Sequence, residues 1–577
     1  MADDMKKAEE AVQATTHASL DLDDLNLTED QIRSRKLELE INKERDAIIL
    51  ANPNKLPVAV WFIIPNELGE RFCFYGITPI LKNFFKYQLG YNIAADANAM
   101  KDIFMGLCYF TPILGAIISD SYLDKFKTIV SLSSIYILGL IVLTITSWPT
   151  VMGVATTQMS RAGPLLGLLM IAIGTGGIKP CVSAHGGDQF LSVQTYGLQA
   201  FYNYFYMSIN FGALISSTVS PMIAQNEYFP WPLAENQTLT QYFAPKGLKA
   251  PLGNGYPYSF LMMTCFMIAA MGIFIAGFKT YRVVPPAGRF ILFDHIKTGI
   301  TYAGYRMKMK REDAYKATAD IHTEGMVVEM LDLIKVIGAI WPAPIFWMVF
   351  GQNSGPWQDM GEQMVVPFGG SQKGFFGTET LNNFWNPFFI CVMAPILANY
   401  VYPFIDKRFG VRAFGLQQRI VVGQVLAALS FVVSALLQRW VNSTCEAGEE
   451  KDSCAGTVSI LWLILLYVII TLGECFFSIS GLNFTYTEVG KRTKSSCAAL
   501  WLLTSGIGSF LSSAFLTATM SADQNAVAAG TKKYSEITWN RENFLWLLAG
   551  CCLASAMVQF VIARNYVPKA FRETAKF

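Results

Sequence analysis

Val58-Ala-Val-Trp-Phe-Ile-Ile-Pro-Asn-Glu67-Leu-Gly-Glu70-Arg71-Phe-Cys-Phe-Tyr75-Gly76 is an apolar stretch that carries three charges. The run continues to about residue 86, enough at ~1.5 Å per residue to cross a hydrocarbon core of ~30 Å. An ionisable side chain at mid-bilayer costs at least ~2.5 kcal/mol, so such residues are rare and usually mark an ion or substrate path. Spacings of three and four residues put Glu67, Glu70 and Arg71 on one helix face, with Arg71 one turn from Glu67. Two carboxylates sharing one guanidinium are not both comfortably ionised, which makes one of them a candidate proton carrier. The competing reading is a satisfied polar triplet at a helix–helix contact.

Outward from this stretch the chain stays apolar. Apolar residues make up 52% of the 577 and charged residues 15%, with a mean hydropathy of +0.34. These values suit an all-α polytopic membrane protein and exclude a globular domain with a surface to solvate. Cys73, Cys108, Cys181, Cys265, Cys391, Cys475, Cys551 and Cys552 lie inside apolar runs, where they act as small hydrophobes. No cysteine pair has zinc-ligand spacing with histidines nearby, so no metal or other cofactor is expected. Cys445 and Cys454 share a polar loop and form the candidate disulfide. The acidic, polar N-terminus has no signal-peptide core, so the first span is expected to direct insertion.

Twelve apolar stretches are long enough to span, near 57–86, 101–119, 127–148, 163–184, 200–223, 257–279, 333–354, 381–404, 414–438, 457–483, 495–519 and 542–565. Basic residues gather at Lys125/Lys127, Lys279 to Lys316, Lys407/Arg408/Arg412, Lys491/Arg492/Lys494 and Lys569/Arg572/Lys576. All of these fall on one side of the expected topology, which the positive-inside bias makes cytoplasmic, together with both termini. The sequons at Asn236 and Asn442, and the Cys445/Cys454 pair, fall in loops on the other side. The expected layout is a charged cytoplasmic region (1–52), a six-helix bundle (53–279), a cytoplasmic linker (280–332), a second six-helix bundle (333–565) and a short tail (566–577). Within the linker, Arg289 to Lys316 reads as one amphipathic helix lying at the inner surface. Six plus six spans match a rocker-type secondary transporter, and no Walker-type loop is present to bind ATP.

Further motifs follow. Span 4 ends in Gly174-Thr-Gly-Gly-Ile-Lys179-Pro180, followed by Gly186-Gly187-Asp188-Gln189-Phe190, and places a second cation at membrane depth. Span 5 reads Phe205-Tyr206-Met-Ser-Ile-Asn210-Phe-Gly212. With the Glu-x-x-Glu-Arg-Phe stretch of span 1, these segments closely resemble the proton-coupled oligopeptide transporter family, a branch of the major facilitator superfamily. The short loop between spans 9 and 10 and the charged N-terminus resemble the fungal di-/tripeptide transporter branch. The resemblance implies proton-driven import of di- and tripeptides through the plasma membrane by alternating access, with protons as the coupling ion. The functional unit it implies is a monomer in a lipid bilayer, with no nucleic-acid partner.

By the same resemblance, Glu67, Glu70, Arg71 and Lys179 handle the coupled proton, with Lys179 also near the peptide carboxylate. Glu474 is likened to the acid that holds the peptide amino group, and Asn210 and Asn386 to asparagines that bond the peptide backbone. Phe74, Tyr75, Tyr109 and Trp347 match aromatic wall positions. Asn210 and Asn386 also suit simple interhelical contacts, and the aromatics also suit packing. A dipeptide zwitterion independently asks for a cation and an anion some ångströms apart, which Lys179 and Glu474 supply from opposite halves. The embedded charges sum to one carboxylate in excess: Glu67, Glu70 and Glu474 against Arg71 and Lys179.

The chain departs from the family pattern in three places. A helix 7 acid common in the family is replaced by Gly351, Gln352 and Asn353, an arginine after Tyr75-Gly76 by Thr78, and the helix 2 histidine of animal members by Asp102. Asp102 either takes that histidine's place or, the reading favoured here, is an acid at the outer-surface end of its helix. The rival functions are a transporter of nitrate or another small organic solute on the same scaffold, and a peptide-sensing receptor. An enzyme is not expected, since no nucleophile–base set or metal site is visible.

Overall fold

In a bilayer each backbone polar group must find its partner within the chain, which favours helices throughout a sequence this apolar. In the structure, a computed structural model, residues 42–43, 46–47 and 55–567 are described, apart from 92, 149–157, 192–193, 230–237, 239–240, 242–252, 285–290, 368–377, 410–413, 445–456, 490–493, 529–530 and 532–537. The first bundle comprises α1 (Val60–Asn83), α2 (Ala94–Phe110), α3 (Pro112–Ser121), α4 (Lys125–Thr146), α5 (Gln158–Gly187), α6 (Thr195–Ala224) and α7 (Tyr256–Ala276). The linker contributes α8 (Ile291–Arg306) and α9 (Arg311–Ile321). The second bundle comprises α10 (Glu324–Ile340), α11 (Ala343–Phe350), α12 (Pro356–Gly361), α13 (Thr378–Ile396), α14 (Tyr402–Phe409), α15 (Leu416–Ser443), α16 (Leu463–Glu474), α17 (Ser480–Thr487), α18 (Lys494–Leu516), α19 (Ala522–Ala528) and α20 (Arg541–Asn565). Widened π turns lie at Phe84–Gln88, Leu397–Val401, Cys475–Ile479 and Thr517–Ser521. Among the described residues the β pairing amounts to one isolated bridge, Val365 with Ser459.

Nine helical segments among the described residues are long and apolar enough to cross a membrane, ten when α10 with α11–α12 counts as one span bent by 44°. The bend falls at Trp341–Pro342, where proline lacks the N–H the ladder needs. The other two expected spans are helical as well. α1 carries Glu67, Glu70 and Arg71, and α13 carries Asn382, Asn383 and Asn386, so their composition is less apolar. The fold is the all-α major facilitator fold, with two bundles of spans.

Buried apolar side chains gather into two main clusters. One holds Phe74, Phe84, Tyr136, Phe260 and Met263, and the other Phe346, Trp357, Phe431, Tyr467 and Phe477. Within the first bundle α1 packs on α6 and α7, and α4 on α5; within the second, α15 packs on α20. The α4–α5 approach depends on small residues, since a Cβ at Gly167 would stand 2.8 Å from the Leu143 nitrogen. The bundles meet along two seams, α2 with α18 and α6 with α13.

Several boundaries differ from expectation. Span 2 begins at Ala94, and span 7 runs from Glu324 to Gly361 across its bend. The single amphipathic helix expected over 289–316 is two helices, α8 and α9, interrupted between Arg306 and Arg311. α15 extends to Ser443, so Asn442 lies in its last turn, where its side chain accepts from Gln438 Nε2 at 2.8 Å. Asn236, Cys445 and Cys454 lie outside the described residues, as does nearly all of 1–52. Of that region, Asn42 exchanges two hydrogen bonds with the Val283 backbone (2.6 and 3.0 Å) and Asp46 accepts from Arg282 Nε at 3.1 Å. The segment ahead of α1 is thereby tied to the stretch that follows α7.

Candidate functional site

The charged face of α1 is assembled as its spacing requires. Arg71 Nε donates to Glu67 Oε1 at 2.7 Å and lies 3.0 Å from Glu70 Oε2. All three side chains are buried, and the Thr175 hydroxyl on α5 donates to Glu70 Oε1. Glu67 Oε2 is buried with no hydrogen-bond partner. One guanidinium therefore serves two carboxylates in a space closed to water, with Thr175 supplying a further donor. The helix neighbours approach closely here: a Cβ at Gly212 of α6 would stand 2.9 Å from the Leu68 carbonyl oxygen.

Lys179 sits one turn beyond Thr175 on α5, just ahead of Pro180. Its buried Nζ has no hydrogen-bond partner. It stands instead 4.0 Å from the ring centroids of both Phe74 and Tyr109, in a two-ring cage. Ring faces attract a cation through their quadrupole without neutralising it, so this ammonium remains available to an incoming anion. Tyr75 meets Phe74 edge-on at 5.3 Å. Sequence therefore brought Glu67, Glu70, Arg71, Lys179, Phe74, Tyr75 and Tyr109 to one place.

In the second bundle Glu474 ends α16 at the start of the Cys475–Ile479 π turn. Asn386 of α13 donates to Glu474 Oε2 at 2.8 Å and to Thr471 Oγ1 at 3.1 Å. Asn386 thus holds the carboxylate of Glu474 in place. Asn386 lies on α13, which packs against α6 of the first bundle, so its helix forms part of the seam between the halves. Asn210 donates to the Tyr206 carbonyl of its own helix at 2.8 Å, which leaves its side-chain oxygen for another donor. Trp347 packs among Phe346, Phe350, Phe477 and Trp501, and its buried Nε1 has no acceptor.

A second polar group lies where α1 ends and α2 begins. Lys82 forms a buried ion pair with Asp359 of α12, and Asn98 Nδ2 donates to the other Asp359 oxygen at 3.3 Å. Glu362 lies 4.0 Å from Lys82 and 3.9 Å from Lys86. Lys101 donates to the Ser354 carbonyl at 2.9 Å and to its hydroxyl. Asp102 accepts from Gln352 Nε2 at 3.1 Å and from the Ser512 hydroxyl, and Asp96 accepts from the Ser521 hydroxyl. Each of these contacts joins one bundle to the other. Asp102 is buried between the halves, which corrects its reading as a solvated helix end; its donors come from remote elements.

Sequence reasoning missed this latch. The expected span 7 stops at residue 354, short of Asp359, whereas the helix resumes at Pro356 and carries the span to Gly361. Lys82 did leave a signal, since eleven residues after Arg71 is three helical turns and thus the same face of α1. Past the end of α5, Lys125 pairs with Asp188 at 2.5 Å, and Gln189 exchanges hydrogen bonds with the Arg282 backbone.

Comparison with known proteins bears on this geometry. The chain is 32% identical to mouse solute carrier family 15 member 2 over 394 residues, covering 67% of this chain and 49% of that protein. It is 33% identical to Drosophila melanogaster peptide transporter family 1, covering 69% of this chain and 49% of that one. The chain spans about half the length of the curated relatives it matches. Among solved structures, the in meso crystal structure of the POT family transporter PepTSo superposes with a TM-score of 0.67 at 23% identity, covering 89% of this chain and 99% of that chain. A POT family transporter in complex with 5-aminolevulinic acid gives 0.60 at 18%, covering 88% and 96%. The model of the PTR2 domain, described as the POT family, matches residues 126–537. With two bundles, an acid–arginine cluster on α1 and a caged lysine on α5, the chain belongs to the POT family.

Proposed function

We propose that this protein is a symporter that couples proton flow to the import of di- and tripeptides by alternating access. The observation that carries the reading is the pairing of a caged, hydrogen-bond-free Lys179 in one bundle with an Asn386-oriented Glu474 in the other. A peptide zwitterion satisfies both at once. Its carboxylate neutralises Lys179, its ammonium neutralises Glu474, and its length draws the bundles together. The Trp347 indole and the Asn210 oxygen remain to read the peptide unit, while aromatic walls tolerate varied side chains. A nitrate ion has no ammonium for Glu474, which argues against that cargo.

Glu67, Glu70 and Arg71 supply the proton site. With one guanidinium between two carboxylates, adding a proton to either acid frees Arg71 to hold the other fully. Proton binding therefore rearranges charge next to Lys179 without a new ion having to enter. Membrane potential contributes ~2.3 kcal/mol per charge per 100 mV and a pH unit ~1.4 kcal/mol, enough for one or a few protons to concentrate peptide. The Lys82–Asp359 latch lies at the outer face under this orientation, so the conformation is the one closed outside. We place the protein in the plasma membrane with both termini cytoplasmic, acting as a monomer and not as an enzyme.

The test is uptake of radiolabelled dialanine by purified protein in liposomes, with an inward proton gradient imposed or collapsed. Accumulation above equilibrium that vanishes with the gradient is the expected result. Saturable uptake indifferent to the gradient would leave a facilitator and remove the coupling role of Glu67 and Glu70. Peptide-dependent signalling by a variant unable to transport would favour the receptor.

A further inference from the structure

Asn66 stands one turn before Glu70 on α1, and its side chain is fully buried, at 0% exposure, with neither Oδ1 nor Nδ2 hydrogen-bonded among the described residues. A buried amide without partners is costly and calls for a reason. At ~100° per residue, the contacts of α1 fix where this one points. Gly69 and Cys73 face α7: a Cβ on Gly69 would collide with that of Ala270, and Cys73 Sγ donates to the Met263 carbonyl at 3.1 Å. Glu70 faces α5, where it accepts from Thr175. Asn66 falls between those two directions, on the inner face of the first bundle and within one-turn reach of Glu70. Tyr136 of α4 lies at the same depth, since a Cβ on Gly174, next to Thr175, would stand 2.7 Å from the Tyr136 Cβ. Its buried hydroxyl likewise has no hydrogen-bond partner among the described residues.

What Glu70 needs from its neighbours depends on its charge. As a carboxylate it is served by donors, the Thr175 hydroxyl on Oε1 and Arg71 Nε at 3.0 Å from Oε2. A guanidinium has donors and no acceptor, so a protonated carboxyl loses its match with Arg71 and needs an acceptor for the new O–H. A primary amide meets both demands of a carboxylic acid. Its carbonyl oxygen accepts from the acid O–H, and its N–H donates to the acid carbonyl oxygen. Asn66 presents that pair of groups one turn away. The Lys179 cage lies the other way along α1, because Phe74 is one turn after Glu70.

We propose that Asn66 is the seat of the protonated Glu70 carboxyl: Glu70 is held by Arg71 and Thr175 when charged and by Asn66, with the Tyr136 hydroxyl beside it, when neutral. A proton from water adds to a carboxylate oxygen of Glu70, the new O–H turns to Asn66 Oδ1, and Arg71 is left to Glu67 alone. Loss of that proton to water on the other side returns the carboxylate to Arg71. Asn66 is a positioning residue: it decides which of the two acids takes the proton and touches no peptide. The inference rests on the proton site proposed above and is independent of the cargo.

The test is infrared difference spectroscopy of the full chain in liposomes, acidic minus alkaline, with no peptide added. A carboxylic-acid carbonyl band is expected that vanishes in Glu70→Gln. It should move to higher frequency in Asn66→Leu, as its hydrogen bonds are lost, return toward its place in Asn66→Gln, and move less in Tyr136→Phe. A band unmoved in Asn66→Leu, or one that survives Glu70→Gln, overturns the proposal. Isotope labelling of asparagine side chains reads the same contact without a core substitution: a labelled amide band should enter the difference spectrum and be missing from that of Glu70→Gln, and its absence from the unmodified chain overturns the proposal. In the gradient assay Asn66→Leu should lower driven dialanine uptake several-fold more than counterflow. Equal loss of both makes the amide structural and also overturns it. If the unmodified chain drives no uptake, peptide symport falls, while the infrared bands still decide the role of Asn66.

Discussion

Two charged groups lie on the same helix, three turns apart, and are put to opposite uses. Glu67, Glu70 and Arg71 find their partners within α1 and α5, inside one bundle. Lys82, further along α1, finds Asp359 across the seam in the other bundle. The first group can keep its internal geometry when the bundles rock. Under the proposed alternating access, the second must break each time the outer side opens. Charge at membrane depth thus serves chemistry where its partners move with it, and conformation where they do not.

Breaking the first group should have the largest effect. Glu70→Gln is expected to reduce gradient-driven dialanine uptake to the equilibrium level while peptide counterflow survives, as measured in the two liposome assays. Equal loss of both would mean that Glu70 also builds the binding site. Next comes the latch. Lys82→Ala leaves Asp359 buried and uncompensated, a cost of about 3–5 kcal/mol carried by the outer-closed state. The bundles should then shift toward outward-open, read as faster labelling from outside of a cysteine placed at Tyr109. The double variant Lys82→Met/Asp359→Leu should open less than Lys82→Ala, since no lone charge remains.

Smaller effects sharpen the contrast within the site. Lys179→Ala removes a charge-assisted contact of about 1.5–3 kcal/mol, so KM for dialanine should rise roughly ten- to hundredfold. The same variant should lose its preference for dialanine over the C-terminally amidated peptide, which a competition assay reads directly. Thr175→Val deletes one donor to Glu70, a loss of about 0.5–1.5 kcal/mol. Driven uptake should fall several-fold with peptide affinity unchanged, and Thr175→Ser should restore it.

How much of this was legible in the sequence depended on where each residue's partner lay. The α1 triplet could be read because its members are three and four residues apart, and Lys179 and Glu474 because a lone charge in an apolar run stands out. The Asn386–Glu474 bond could not, since 88 residues separate the pair and helix period says nothing about which helices meet. Asp102 was misplaced for the same reason: Gln352 and Ser512 reach it from 250 and 410 residues away. Boundaries failed where a local break had no strong marker, as between α8 and α9. They also failed at both ends of span 7, where the helix starts earlier, at Glu324, and runs later, to Gly361, through residues less apolar than the stretch between.

The π turn at Cys475–Ile479 has an effect on anyone mapping the pore. A wide turn fits an extra residue into one revolution, so the side-chain stripe of α16 does not continue in register into α17. A cysteine-accessibility scan along this span should show a periodic pattern that jumps in phase just after Glu474. Residues before and after that point must be indexed as two separate helices, or half of the wall will be assigned to the lipid side.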